Sequence, residues 1–396
     1  MPSAKFRILF TLFAVGFGAN VATPLFLIYE DRLELSTWTL TALFAIYPIG
    51  LAPALVFSGP ASDVLGRRVV IVPGVVLSGV ASLVMLFGGS TVGMLYLGRF
   101  LLGVVSGIVF VVGSAWTQEV GSSNPMLTSR QIAAVMFASF GTGPLIAGVA
   151  GQWSSAPLVI PYLVHLALVV FGMWLIRGAP ETVMRDSTRK IRPNLGMPRG
   201  TGRDFAVVVA PTAFGVFGMP SLVFGLFPVL LKPAMPGIAV LISGVLGFVV
   251  TWSTFPAQTL VGRIGPYRGA PLALACGAAG TTLGAIAFAT DTWGLVFASA
   301  VLMGSASGFA MTSGLRFVDI ICLPEDRGAL TGSFYAVAYV GMMNPLLVST
   351  VNKAVGSFVP ILAGIAIVTA LGSCWLFGAG AQLLQRHGAM SSSKMI

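Results

Sequence analysis

Apolar residues occupy most of the chain in long runs that short polar segments separate. Each run is about 20 residues long, which is the length an α-helix needs to cross the hydrocarbon core of a bilayer. The runs lack the period-two alternation of membrane barrel strands, so helices are favoured. The pattern predicts twelve spans, at residues 6–28, 36–57, 69–88, 92–116, 130–150, 157–177, 205–229, 237–260, 270–290, 293–315, 328–349 and 356–378.

The longest gap between spans, residues 178–204, lies near the middle of the chain and is polar and basic. It predicts a cytoplasmic linker between two six-helix bundles. The N-terminal bundle would comprise residues 1–177, and the C-terminal bundle, with a short cytoplasmic tail, residues 205–396. The halves repeat each other at an offset of about 200 residues, as Gly66 and Gly265 illustrate, and such duplications are typical of membrane transporters.

Composition and charge place the chain in a membrane. Hydrophobic residues make up 56% of the 396 and charged residues only 9%, against about 25% charged in a soluble domain. The net charge of +10 would suit nucleic-acid binding, but its distribution argues against it. With the N-terminus in the cytoplasm, eighteen of the 22 Lys and Arg residues lie on the cytoplasmic side, Arg32, Lys232 and Lys353 lie outside, and Arg99 lies within a span. This asymmetry predicts that both termini are cytoplasmic.

A charged turn, GPASDVLGRR at residues 59–68, connects the second and third spans. It resembles the loop motif G-x-x-x-D-x-x-G-R-R/K of the major facilitator superfamily. The resemblance implies an ionic latch on the cytoplasmic side, centred on Asp63, with Glu119 as the partner of Arg67. The alternative is an ordinary helix–helix turn whose arginines reflect only the positive-inside rule. The implied gating residues are Gly59, Asp63, Gly66, Arg67, Arg68 and Glu119.

Two further motifs extend the resemblance. Residues 97–103, LGRFLLG, resemble the R-x-x-x-G motif of helix 4, in which Arg99 would lie about 10 Å below the outer boundary. A charge at that depth indicates function unless the side chain extends to the interface. Residues 141–148, GTGPLIAG, resemble the helix-5 motif of drug/proton antiporters, although a glycine-rich membrane helix needs no transport role. The helix-5 residues are Gly141, Gly143, Pro144 and Gly148.

Coupling to protons requires a titratable group within the membrane. None of the twelve acids lies in the middle of a span, and Asn20 stands where drug/proton antiporters often carry an acid. The hypothesis is that Glu30 or Asp31, at the outer end of the first span, acts together with Arg99. The alternatives are that these acids lie in a solvated loop, that His165 carries the proton, or that transport is not coupled to protons.

The resemblance implies a central cavity, and aromatic and amide side chains are its candidate lining. Such a lining, with one positive charge, suits neutral or anionic amphipathic organic molecules. Each aromatic could equally serve packing or anchor a helix at the interface. The candidates are Asn20, Tyr47, Trp116, Trp252, Gln258, Tyr335, Tyr339 and Asn344.

The sequence therefore predicts an all-α membrane protein with twelve helices in two pseudo-symmetric bundles, most similar to the drug/proton antiporter branch of the major facilitator superfamily. The expected function is export of drug-like compounds across the inner membrane by alternating access, in exchange for protons. A sugar or metabolite transporter and a non-transporting sensor or scaffold are the alternatives. With two histidines and no phosphate-binding glycine loop carrying Lys, neither an enzyme nor ATP drive is expected. No cofactor, metal or nucleic acid is expected, and the protein is expected to be a monomer in the bilayer that binds a small molecule.

Overall fold

The computed structural model of the chain describes residues 2–121, 124–186, 188, 191, 196–198, 200–323 and 326–393. Within these ranges the regular structure is helical and contains no strand. Eleven of the described helices are long and apolar enough to cross a membrane, and Ile160–Ile176 is apolar but shorter. Of the basic residues predicted to be cytoplasmic, Arg189, Lys190, Arg192, Arg199 and Lys394 lie outside the described residues.

Each predicted span corresponds to one helix, in the predicted order. The first six helices are α1 (Ala4–Leu33), α2 (Thr37–Leu65), α3 (Arg67–Leu86), α4 (Val92–Val120), α5 (Pro125–Trp153) and α6 (Ile160–Ile176). The next six are α7 (Gly202–Ala234), α8 (Ala239–Ile264), α9 (Pro266–Ala289), α10 (Leu295–Ile321), α11 (Arg327–Val355) and α12 (Phe358–Ser393).

Short polar side chains begin several of these helices. The Ser3 hydroxyl accepts the N–H of Phe6 at 3.2 Å at the start of α1. The Asn124 side chain accepts the N–H of Leu127 at 3.0 Å at the start of α5. These bonds satisfy N–H groups that have no partner within the helix, which fixes where each helix starts.

Three helices, α7, α8 and α11, are interrupted, and proline explains each interruption. A proline has no N–H to continue the helical ladder, and its ring clashes with the preceding turn. The interruptions lie at Leu226, Ser253 and 342–343, two or three residues before Pro228, Pro256 and Pro345. Helices broken in this way are common in transporters, where the freed backbone groups can face a bound ligand.

Contacts divide the chain into two compact units. The first comprises Met1–Pro193 and Pro228–Phe248, and the second comprises Asn194–Phe227 and Val249–Ile396. In the first unit α2 packs against α4, α1 against α5, and α3 against α4 and α6. In the second unit the corresponding pairs occur, with α8 against α10, α7 against α11, and α9 against α10 and α12. The helix pairing thus repeats, although Pro228–Phe248, assigned from the sequence to the C-terminal bundle, lies in the first unit.

The core of the first unit is mainly apolar, but its buried residues include the polar side chains of Arg67, Arg99 and His165. Leu12 and Trp116 are fully buried in one apolar cluster, and Tyr29 and Tyr162 are fully buried in another. Arg99 is as completely buried as these side chains. A buried guanidinium must find partners for its charge, so its surroundings are the first place to look for function.

Candidate functional site

Gly66 joins α2 to α3 with a backbone conformation, φ 101° and ψ 150°, that favours glycine. Its N–H closes α2 by bonding the carbonyl of Ser62 at 3.1 Å. The next residue, Arg67, begins α3. This sharp reversal brings Asp63 in the last turn of α2 beside Arg67, with Oδ1 2.6 Å from Nη1.

Arg67 is buried, and its guanidinium is surrounded by oxygen atoms. Besides Asp63, its Nη1 contacts the Ser62 hydroxyl at 2.5 Å. Its Nη2 lies 2.6 Å from Oε1 of Glu119, in the last turn of α4, and its Nε lies 3.2 Å from both Glu119 oxygens. The predicted ion pair between Arg67 and Glu119 is therefore present. Two carboxylates and a hydroxyl match the planar, fork-shaped set of donors that a guanidinium offers.

Glu181 and Thr182, just after α6, complete this cluster, and they are not among the gating residues predicted from the sequence. The Glu181 carboxylate accepts the N–H groups of Arg67 and Arg68 at 2.9 Å each. A carboxylate is favourable at the start of a helix, because the N–H groups there lack helical partners and carry partial positive charge. The Thr182 hydroxyl donates to Glu119. The sequence offers one signal for such a partner, because Gly66 precedes α3 and has no side chain that could cap the helix.

The other two residues of the loop motif have separate positions. Gly59 faces α4, where an added Cβ would lie 3.4 Å from a Val111 methyl group, an ordinary contact. Arg68 is exposed, and its guanidinium donates to the carbonyl of Ala179. The residues that the structure gathers into one cluster are Asp63, Gly66, Arg67, Glu119, Glu181 and Thr182.

Arg99 extends from α4 toward α1 and α2. Its Nη1 donates to the carbonyl of Ala19 at 2.7 Å, and its Nε donates to the carbonyl of Leu43 at 3.3 Å. Its Nη2 has no hydrogen-bond partner. Among the described residues, the recorded contacts of this cation are carbonyls and aromatic faces rather than carboxylates. Three rings face the guanidinium carbon, those of Tyr47 at 4.9 Å and of Phe26 and Phe44 at 5.7 Å.

Glu30 and Asp31 do not pair with Arg99, which corrects the predicted pairing. Glu30 lies eleven residues after Ala19 on α1, a separation of about 16 Å along a helix. Both carboxylates instead contact Nζ of Lys232, at 2.8 and 2.5 Å. The acids are part of α1, so the alternative of a solvated loop is also wrong, because α1 continues to Leu33.

Lys232 belongs to Pro228–Phe248, the segment of the second half that lies in the first unit. The side chain of Gln152 in α5 holds the same segment, donating to the carbonyl of Gly237 and accepting the N–H of Leu241 at 3.3 Å. The segment is therefore attached to α1 by an ion pair and to α5 by an amide.

The glycines of the helix-5 motif face two different helices. A Cβ added to Gly148 would lie 2.9 Å from the Cα of Gly244 in α8, so this crossing requires glycine on both sides. The carbonyl of Pro144 also faces Gly244, at 2.5 Å from a Cβ placed there. Gly143 instead packs against the carbonyl of Phe17 in α1. Gly141 is buried.

His165 connects α6 to α3. Its Nδ1 lies 2.5 Å from the Ser82 hydroxyl, and its Nε2 lies 3.3 Å from the Ser78 hydroxyl. The ring stacks on Phe17 and leaves no room for a side chain at Gly18. These contacts fit a hydrogen-bonded packing role.

Two of the predicted lining residues are core residues instead. Trp116 is fully buried, and its Nε1 donates to the carbonyl of Pro180 at 2.8 Å. Asn344 is buried, and its amide donates to the carbonyl of Gly218 in α7 at 2.9 Å. The polar atoms of both side chains donate hydrogen bonds to backbone carbonyls of other segments.

The other lining candidates keep exposed surface or join aromatic groups. In the second unit Tyr339 stacks on Phe217 at 4.9 Å and on Tyr335 at 6.4 Å between ring centroids. Trp252 is exposed, and Asn20 and Gln258 are half-buried. Within the described residues, no group of three or more His, Cys, Asp or Glu side chains could hold a metal ion.

A sequence model of the family described as Major Facilitator Superfamily matches residues 8–343. The chain belongs to the Major Facilitator Superfamily. This confirms the predicted family and fold, and it makes the protein a multi-pass membrane transporter and not an enzyme.

Two relatives of this transporter carry resistance names. Multidrug resistance protein MdtL of Citrobacter koseri is 31% identical over 140 residues, which cover 35% of this chain and 31% of that protein. The class D tetracycline resistance protein of Salmonella ordonez is 27% identical over 180 residues, which cover 45% of this chain and 43% of that protein. The chain thus matches less than half the length of either relative.

Solved structures of other transporters have the same fold at low identity. The nucleoside transporter NupG aligns with a TM-score of 0.74 and 12% identity, over 96% of this chain and all of NupG. A peptide transporter, POT, aligns with a TM-score of 0.78 and 10% identity, over 96% of this chain and 94% of that protein. At these identities the similarity extends to the fold alone.

Proposed function

We propose that this transporter exports small amphipathic organic compounds across the inner membrane by alternating access, in exchange for protons. The observation that carries the proposal is the fully buried Arg99 guanidinium, faced by three aromatic rings within membrane-spanning helices. A cation in such a place is costly unless it serves function. Aromatic faces beside a single charge suit molecules with an apolar body and a polar end. The resistance names of the two partial relatives support efflux as the direction.

Glu30 and Asp31 are the proposed proton-binding groups, with Lys232 as their counter-charge. Both carboxylates contact the one ammonium of Lys232, so the three groups carry a net charge of about −1. Protonation weakens the hold of α1 on Lys232, and therefore on the segment Pro228–Phe248. A proton would in this way favour release of that segment from α1, which is the coupling that an exchanger needs.

The cluster around Arg67 is the proposed latch on the cytoplasmic side. It joins α2, α3, α4 and the segment after α6 through charged groups at their ends. Ion pairs that exist in one conformation and break in another bias the equilibrium between the two. The proposed latch gives a role to the loop motif at residues 59–68, and proton binding gives a role to Glu30 and Asp31.

Flux measured in proteoliposomes under an imposed pH gradient tests the proposal. The wild-type protein should move amphipathic compounds from a chemically varied panel in the direction opposite to the downhill flow of protons. The double variant Glu30→Gln with Asp31→Asn should lose pH-driven flux and keep substrate binding, because it removes the titrating groups but not Arg99. Glu34→Gln, an exposed acid that closes the same helix, is the matched control and should behave as wild type.

Three results would contradict the proposal, wholly or in part. Flux of sugars or other metabolites, with none of the amphipathic compounds, would favour the metabolite transporter. A folded protein that binds ligand but moves nothing in either direction would favour a sensor or scaffold. Persistent pH-driven flux in the double variant would leave export standing and remove these acids from the coupling.

A further inference from the structure

Two buried polar atoms on neighbouring helices of the first unit have no hydrogen-bond partner: Nη2 of Arg99 and the hydroxyl oxygen of Thr23. Thr23 is 4% exposed, and Arg99 is fully buried. Thr23 lies four residues after Ala19, whose carbonyl accepts Nη1 of Arg99. Residues four apart share one face of a helix, so Thr23 lies one turn from Ala19, the residue whose carbonyl the guanidinium contacts. Phe26, whose ring covers the guanidinium, extends the same face by three residues.

The unsatisfied hydroxyl of Thr23 is explained by the same arginine. A threonine within a helix usually donates to the carbonyl four residues earlier. Thr11 and Thr212 do this, at 2.9 and 2.7 Å. For Thr23 that carbonyl belongs to Ala19, which Arg99 already occupies. The arginine therefore leaves both the Thr23 hydroxyl and its own Nη2 without a hydrogen-bond partner.

We propose that Nη2 of Arg99 and the hydroxyl of Thr23 bind a negatively charged oxygen of the transported molecule, so that the exported compounds are organic anions with an aromatic body. This inference rests on the proposed function and specifies its substrate class. A carboxylate or phenolate accepts strong, charge-assisted hydrogen bonds from such donors, and burial strengthens them. A cation at the same place would face the unneutralised charge of the guanidinium.

The three rings around Arg99 favour a substrate that has an aromatic body beside its negative charge. Tyr47 and Phe26 each keep 4% of their surface exposed and Phe44 keeps 1%, so all three rings around Arg99 are buried. A ligand ring can replace one of them against the guanidinium with little loss, because an aromatic face and a cation attract each other. A molecule that carries both a ring and an adjacent anion satisfies Nη2 and keeps that contact.

A matched pair of ligands separates charge from shape. 4-Butylbenzoate and 4-butylbenzamide have nearly the same outline, but only the benzoate is an anion at neutral pH. Titration calorimetry on the purified full chain in detergent gives both dissociation constants. The benzoate should bind about ten times more tightly or better, as expected for hydrogen bonds to a charged group.

Three variants assign that preference to the two side chains. Thr23→Val removes the hydroxyl at nearly constant volume and should weaken benzoate binding about fivefold to tenfold, leaving benzamide binding unchanged. Arg99→Gln should abolish the preference for the anion. Thr282→Val is the control, because its hydroxyl is satisfied within α9 of the second unit, and it should match wild type.

If Arg99→Gln does not fold, Thr23→Val and its control still decide the question. Equal affinity for both compounds in the wild type, or an unchanged preference in Thr23→Val, would overturn the inference. The second result would mean that the anion is bound without the Thr23 hydroxyl. Flux of neutral compounds without anions in the proteoliposome assay would overturn the anion site and leave export intact. Preference for the benzoate without flux of any compound would overturn export and leave the binding site intact.

Discussion

The turn between α2 and α3 and its counterpart between α8 and α9 share a backbone but not a set of charges. Gly66 and Gly265 occupy corresponding places, with φ, ψ of 101°, 150° and 78°, 166°. Each glycine N–H bonds a carbonyl four residues earlier, that of Ser62 or Val261, at 3.1 and 2.9 Å. Both conformations are nearly confined to glycine, so the repeat preserves the geometry of the reversal.

The charges at the two turns differ at nearly every corresponding place. In the first unit α3 begins with Arg67, whose N–H is capped by Glu181. In the second unit α9 begins with Pro266, which has no N–H to cap. Gly262 stands where Asp63 stands in the first turn.

The second unit has an ion pair of its own, in a different place and in different surroundings. Asp319 at the end of α10 pairs with Arg327 at the start of α11, at 2.6 Å, and the two side chains are 41% and 63% exposed. Arg67, by contrast, is buried among groups from α2, α4 and the segment after α6. The two halves therefore share the backbone geometry of the turn, while a charge cluster around a buried arginine occurs at the first turn. Removal of charge should therefore matter in the first unit far more than in the second.

The largest expected effect comes from removing the central cation. Arg67→Met should destabilise the protein by about 2–3 kcal/mol, because it leaves two carboxylates facing each other without their counter-charge. The value is below the usual cost of breaking a fully buried pair, since Asp63 and Glu119 remain 54% and 32% exposed. The matched Arg327→Met should cost less than about 0.5 kcal/mol, because that pair is well exposed to solvent. Unfolding of both variants in detergent measures the difference, and equal losses would contradict the distinction between the turns.

A smaller effect is expected from the carboxylate that caps α3. Glu181→Gln should cost about 1 kcal/mol, because a neutral amide offers one oxygen to two N–H groups and no negative charge to the helix start. Asp319→Asn is the control in the second unit and should cost less than about 0.5 kcal/mol. Unfolding at low and high salt checks the cause, since the charge component should shrink as salt screens it. A loss that appears equally in both variants would show that Glu181 acts only as an exposed surface charge.

The helices and the loop cluster could be predicted from the sequence because their signals are local. Apolar runs and short polar turns fix the twelve helices, since the backbone in lipid has no other way to satisfy its hydrogen bonds. The partnership of Arg67 with Glu119 followed from a motif and from the expectation that the C-terminal end of α4 lies on the same side as the loop. The special conformation of Gly66 is likewise encoded by the glycine itself.

The missed partners lie far away along the chain. Glu181 is 114 residues from the N–H it caps, and Lys232 is more than 200 residues from Glu30 and Asp31. Nothing in the local pattern says which distant side chain will meet a given charge, because packing of whole helices decides it. The predicted pairing of Arg99 with Glu30 or Asp31 failed for this reason: Arg99 lies at the level of Ala19, and its Nε and Nη1 donate to backbone carbonyls instead.

The smallest expected effect comes from giving the second turn the acid it lacks. Gly262 is exposed, and an added side chain there would meet open space, so Gly262→Asp introduces a carboxylate without crowding. It should change stability by less than about 0.5 kcal/mol, because Pro266 stands where Arg67 would receive it and a lone surface charge contributes little. Gly262→Asn, which has the same shape without the charge, separates the effect of charge from that of the side chain. A clear gain in stability or a change in flux for Gly262→Asp alone would mean that the second turn already holds a cation in reach. The difference between the two halves would then lie in one missing acid rather than in the whole surrounding cluster.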